Sequence, residues 1–158
     1  MGEPKSRHLL SCVTTSKLLY AAPLWADTMS AQGWRKLAAV HRRSHLRVAC
    51  CYRTVSHEAA AVISGIPPIT LLAKERAVLY RGRVKVEARG YLINRWQNEW
   101  DNGEKGRWTH KLISQLDVWL SRKASQMTYH LTKFCRPWML RVIFAQVPLA
   151  GLRRMCAV

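Results

Sequence analysis

Apolar residues recur along this chain at helical rather than strand spacing. Leu9, Leu10, Val13, Leu18 and Leu19 fall at roughly helical spacing and predict a helix from Arg7 to Tyr20. Ala21-Ala22-Pro23 should stop or kink it. Ser30 is placed to cap a second helix reaching about Cys50, with Trp34, Leu37, Ala38, Val40, Leu46 and Val48 as its apolar content. After a connector at Tyr52–Val55, Ser56 caps a short helix over His57–Ser64. Glu58 lies in its first turn, where the dipole favours an acid, and Gly65 with Pro67-Pro68 ends it.

Pro68 suits the first turn of a long helix over Ile69–Arg89, with Leu72, Leu79, Tyr80 and Val84 as its stripe. Gly90 marks a break before a helix over Tyr91–Trp100, which places Trp96 and Trp100 on one face. Asp101–Gly106 reads as a loop, Trp108–Leu120 as a helix and Ser125–Lys133 as a last short helix. No strand alternation or internal repeat interrupts this pattern, so the predicted class is all-α, an irregular helical bundle.

Charge changes the picture. The 158 residues carry 26 Lys plus Arg against 9 Asp plus Glu, a net charge of +17. The excess is uneven. Residues 35–53 hold six basic and no acidic side chains, and residues 74–95 hold seven basic and two acidic. Clustering on two helices points to a phosphate-binding surface, with an anionic membrane surface as the rival partner. The candidate contacts are Arg42, Arg43, Arg47, Arg81, Arg83 and Lys85, with Lys105 and Arg107 secondary. Tryptophans among basic residues can stack on bases. Helical spacing instead assigns Trp96, Trp100 and Trp119 to the core and leaves Trp108, after Lys105-Gly106-Arg107, as the stacking candidate.

Catalysis and cofactors find little support in the pattern. The few acids are scattered, whereas polymerases and nucleases cluster them to hold Mg²⁺. His41 and His45 have i, i+4 spacing, but Arg42 and Arg43 between them would repel a dication, so they read as polar residues on a basic helix face. Ser56-His57-Glu58 cannot form a triad by adjacency, and nothing specific makes Cys50 or Cys51 a nucleophile beside His45. No catalytic residue, metal, cofactor or small-molecule substrate is expected. Five cysteines, an odd number with no Cys-x-x-Cys, predict reduced thiols. No apolar run approaches the roughly 18–20 residues of a membrane span.

Several stretches, taken in order, resemble arthropod non-LTR retrotransposon reverse transcriptases, specifically the type-one elements that insert into ribosomal RNA genes. They are Leu18-Leu19-Tyr20-Ala21-Ala22-Pro23-Leu24-Trp25-Ala26-Asp27, then Val40-His41-Arg42-Arg43 with Leu46-Arg47-Val48, then Tyr52-Arg53-Thr54-Val55-Ser56 with Glu58-Ala59-Ala60. Gly65-Ile66-Pro67-Pro68-Ile69, Glu75-Arg76, Arg95-Trp96-Gln97, Gly106-Arg107-Trp108-Thr109, Trp119-Leu120 and His130-Leu131-Thr132 continue the order. The resemblance spans roughly residues 2–132.

It implies a helical thumb over 1–90, which grips a template–primer duplex, and a Trp-rich helical linker over 91–132. It also implies an intracellular location, nuclear or cytoplasmic. The fingers and the palm with its paired aspartates have no counterpart here, so the expectation is a piece that binds RNA or DNA and does not polymerise. Leu18, Leu19, Leu24 and Trp25 are then the expected surface against the palm. The alternative is a remnant or a protein-interaction module.

Residues 133–158 depart from the family, which continues here into a Gly-His-Gly-Cys stretch and a zinc knuckle. Codons for Pro137-Trp138-Met139-Leu140 read one base out of register can give His-Gly-Cys, so the tail is expected to be a shifted reading frame.

Overall fold

The computed structural model describes residues 4–121. Those residues are all-helical: α1 (Pro4–Leu18), α2 (Ala22–Trp25), α3 (Ala31–Val48), α4 (His57–Ser64), α5 (Ile69–Tyr80), α6 (Lys85–Asn102), α7 (Arg107–Leu112) and α8 (Leu116–Leu120). The all-α expectation holds. The helix expected over Ser125–Lys133, the tail over 133–158 and its reading frame lie outside the described residues.

Local hydrogen bonding sets the helix ends. Ser30 Oγ accepts from Gly33 N and Ser56 Oγ accepts from Ala59 N, both at 3.2 Å, so both predicted caps form. Gly65 closes α4 with φ 69°. The expected single helix over Ile69–Arg89 is instead two. Gly82 takes φ 91°, Gly82 N donates to Leu79 O, and Arg83 N donates to Val78 O. This is a Schellman ending, and it stops α5 at Tyr80. Gly90, the expected break, sits inside α6 and is exposed. The expected Trp108–Leu120 helix also divides, at Ile113–Gln115. There the Gln97 side chain replaces the missing helical bonds: Nε2 donates to Ser114 O and Oε1 accepts from Leu116 N, each at 2.8 Å.

α4 is apolar from Ala59 to Ile63, and every residue from Ala59 to Ser64 is buried. It forms the centre of the main core, which also takes in Ala49, Leu71, Leu92, Trp96, Trp100, Ile113, Leu116 and Trp119. Two indole N–H groups of the core find backbone carbonyls. Trp100 donates to Ile113 O and Trp119 donates to Val62 O, both at 2.8 Å. Gly106, at φ 77°, seats α7 against this core; a Cβ there would lie 3.1 Å from the Trp100 ring.

A second core gathers Leu19, Ala22, Ala26, Ile69 and Ala73 with Trp25 and Trp34. Leu72 packs against both cores, and α3 packs on α1, α4 and α5.

α1 departs from its predicted orientation. Ser11 is buried and Arg7, Thr14, Thr15 and Leu18 are half-buried, while Leu9, Leu10 and Val13 are 65%, 67% and 49% exposed. Its inward face is largely polar because it meets the buried imidazole of His41, whose Nε2 lies 3.2 Å from Thr15 Oγ1.

Candidate nucleic-acid interface

The basic residues of α3 divide by helical phase. Arg43 and Arg47 lie one turn apart, both exposed, on the stripe that carries exposed Lys36 and Val40. Arg42 is half-buried, and its Nη2 donates to Arg53 O and Val55 O, each at 2.7 Å. Its guanidinium therefore staples the connector before α4 to α3, and its charge-assisted bonds are spent within the chain.

The second cluster lies at the elbow between α5 and α6. Arg81, Arg83 and Lys85 are all exposed. Arg81 pairs with Asp27 at 2.6 Å and ties the elbow to the turn after α2, with both side chains more than 60% exposed. Arg81 and Arg83 also border an open cavity of about 330 Å³ that Val78, Glu87, Ala88 and Tyr91 complete.

The third group lies around α7. Lys105 is exposed in the loop. Arg107 Nη1 donates to Asp101 O at 2.9 Å and Gly103 O at 3.2 Å, and reaches Trp100 O at 3.4 Å, so it caps the C-terminal carbonyls of α6. Trp108 is half-buried, and its indole N–H is shut from solvent without a hydrogen-bond partner. The nine predicted residues thus fall into five exposed cations (Arg43, Arg47, Arg83, Lys85, Lys105), three arginines engaged within the chain (Arg42, Arg81, Arg107) and a recessed tryptophan.

The two histidines expected on a basic helix face are instead fully buried. Positions 41 and 45 share the inward phase of Leu37, Ala38 and Val48, which turns Arg42 and Arg43 away from them. His45 Nε2 and His41 Nδ1 are 2.7 Å apart, and the His57 ring stacks on His45 at 5.5 Å. His45 Nδ1 is buried without a partner. An unpaired acceptor is less costly than an orphan N–H, so His45 Nε2–H donates to His41 Nδ1, and His41 Nε2–H donates to Thr15 Oγ1. Burial, and then the neighbouring His57, lowers the His41 pKa to about 4. Burial, then His41 and His57, lowers that of His45 to about 2.

Among the described residues no group of three or more His, Cys, Asp or Glu side chains is placed to hold a metal ion. No two cysteines among the described residues are joined by a disulfide, and an Arg7 guanidinium N–H donates to Cys50 Sγ. No described helix is long and apolar enough to cross a membrane.

Three positions escaped the sequence reading. Tyr91 is 58% exposed beside the arginine-bordered cavity. Gln97 bridges the α7–α8 break, and His57 completes the buried imidazole cluster. No local pattern gives any of the three a site role, because their partners come from tertiary packing.

The chain is similar to a retrotransposon protein. A 115 kDa protein in the type-1 retrotransposable element R1DM of Drosophila melanogaster is 35% identical to it, over 61% of this chain and 12% of that protein. The chain therefore spans about an eighth of the length of that relative. No protein-family model matches the chain, and no solved structure matches it. The likeness and the helical fold together make this a retrotransposon-related, all-α protein.

Proposed function

We propose that this chain corresponds to the thumb and following linker of a retrotransposon reverse transcriptase, and that it binds RNA or DNA through phosphate contacts without catalysing a reaction. The observation that carries the reading is that Arg43 and Arg47 on α3, and Arg83 and Lys85 at the α5–α6 elbow, are all exposed, in a chain similar to a retrotransposon protein. Phosphate contacts need cations that can reach outward, and these side chains can. In this reading the chain works alongside the fingers and palm of a larger polymerase, inside the cell, with no cofactor of its own.

The test is the salt dependence of binding to a short DNA duplex. Each phosphate contact contributes roughly 0.9 to the slope of log K against log salt. Replacing Arg43, Arg47 and Arg83 together by Glu is expected to lower that slope by about 2 to 3 and to weaken binding at moderate salt. Unchanged affinity and slope in the triple variant would show the assignment to be wrong. Arg42 is left out because losing its bonds to Arg53 O and Val55 O would confound binding with folding.

A second reading, a protein-interaction module, draws on α1 and its neighbourhood. Leu9, Leu10, Val13, Tyr20 and Leu24 are each at least 49% exposed. Exposed apolar clusters of this kind mark protein contacts. Of the four residues expected against a palm, Leu24 is exposed, Leu18 and Trp25 are half-buried and Leu19 is buried in the second core.

A further inference from the structure

We infer that the cavity at the α5–α6 elbow is a subsite for one unpaired nucleotide, with the base against Tyr91 and its phosphate on Arg83. This rests on the nucleic-acid reading above and goes beyond phosphate contacts to a duplex. The cavity measures about 330 Å³, at the lower end of small-ligand sites, which run roughly 300–1,000 Å³. That volume is on the scale of a single nucleotide.

The lining has the parts that a nucleotide needs. Val78 and Ala88 give an apolar floor, and Tyr91 gives an exposed aromatic ring. A narrower cleft shares Val78, Ala88 and Tyr91 with it and adds Leu71 and Leu92 with the charged Lys74 and Glu75. Tyr91 is held in place from outside the cavity, because Arg95 Nη1 donates to its hydroxyl at 3.3 Å. Base–aromatic stacking tolerates any base, since every base has a π-face.

Charge orders the ligand within the cavity. Arg81 already pairs with Asp27, which leaves Arg83 as the guanidinium for a phosphate. Glu87 lines the same space. A carboxylate repels a phosphate and can accept a hydrogen bond from an exocyclic amine or a ribose hydroxyl, so the phosphate is assigned to Arg83 and the base to Tyr91.

The test uses the full 158-residue chain and labelled hairpin duplexes with three kinds of end: blunt, one unpaired nucleotide, and one abasic nucleotide. DNA and RNA overhangs are run as separate arms, and a difference between them would show whether a 2′-hydroxyl is read. The intact overhang is expected to bind about 5- to 100-fold more tightly than the abasic one, as stacking of one base predicts. Tyr91→Ala should bring that ratio to about one, and Tyr91→Phe, which loses only the bond from Arg95, should keep most of it.

If the wild-type protein binds all three ends equally, the subsite is wrong while the duplex-binding reading stands. If it binds none, both are wrong. A photo-crosslink from a 5-iodouracil overhang reads the site without any substitution. Adducts on Tyr91 or its cavity neighbours support the subsite, and adducts confined elsewhere overturn it.

Discussion

Protonating His41 would place a charge where no side-chain surface reaches water, beside the ring of a second buried histidine. The folded protein therefore holds both imidazoles neutral, with pKa values below the 6.5 of an unfolded chain. A lowered native pKa means that the unfolded state binds more protons. Stability is thus fully present above about pH 6.5 and falls as pH drops toward the native value, which for His41 is about 4. His41 alone would lose on the order of 3 kcal/mol over that window. Denaturant midpoints at pH 7.5 and pH 4.5 are expected to differ accordingly, and a midpoint that did not fall on acidification would contradict the buried cluster. Glu58, Arg42 and His57 lie near this cluster, so a control at the same pH is His57→Gln, which removes one titrating neighbour.

Arg42 makes the same point about phase. Sequence order puts it in a basic run with Arg43, but rotation by one residue takes it to two backbone carbonyls. Arg42→Ala should cost about 2 kcal/mol, since hydrogen bonds to charged groups are worth roughly 1.5–3 kcal/mol. Arg43→Ala, about 100° further round the helix and exposed, should change stability by no more than about 0.5 kcal/mol. Equal effects in chemical denaturation would dismiss the staple.

At the scale of elements, two glycines give a sharper comparison. Gly82 and Gly106 both sit at positive φ, 91° and 77°. A Cβ at Gly82 would meet nothing within 4 Å, whereas one at Gly106 would press on the Trp100 ring at 3.1 Å and Ser56 Oγ at 3.2 Å. Gly82→Ala therefore carries only the left-handed cost, about 1–2 kcal/mol. Gly106→Ala adds displacement of a buried tryptophan and should lower the melting temperature clearly further. Equal losses would mean that α7 is free to shift away from α6.

These elements also show which parts of the fold could be read in advance. The caps at Ser30, Ser56 and Gly65 were legible because each is closed by hydrogen bonds within three to five residues. The breaks were not. Gly82 and Gly90 both stand in apolar-periodic sequence, and nothing local tells them apart. The choice is tertiary: breaking at 81–84 lets Leu92, Trp96 and Trp100 reach the main core from one continuous helix. The inward polar face of α1 was equally hidden, since its partner Thr15–His41 contact joins residues 26 positions apart. For the same reason the cluster of cations was visible as a charge run, but its division into outward and engaged arginines required the helical phase.

For the whole molecule, the net charge of +17 acts on stability and on binding in opposite directions. Among the described residues the ion pairs that offset it are few: Arg81–Asp27, Arg89–Glu75, Arg95–Glu99 and His110–Asp101, with His110 contributing charge only when protonated. Most of the cations therefore repel one another across the surface, and folding brings them closer together. Salt relieves this, because the Debye length shrinks from about 30 Å at 0.01 M to about 10 Å at 0.1 M. The same screening weakens phosphate contacts by removing the gain from counterion release. Raising salt from 0.01 to 0.3 M should thus raise the melting temperature of the free chain while it lowers affinity for a DNA duplex. At low salt, saturating duplex should itself raise the melting temperature, since it binds the folded state, and this increment should shrink as salt rises. Thermal melts with and without duplex across that range measure both effects. A free-chain melting temperature that fell with salt would mean that the four ion pairs, rather than cation repulsion, dominate the surface electrostatics.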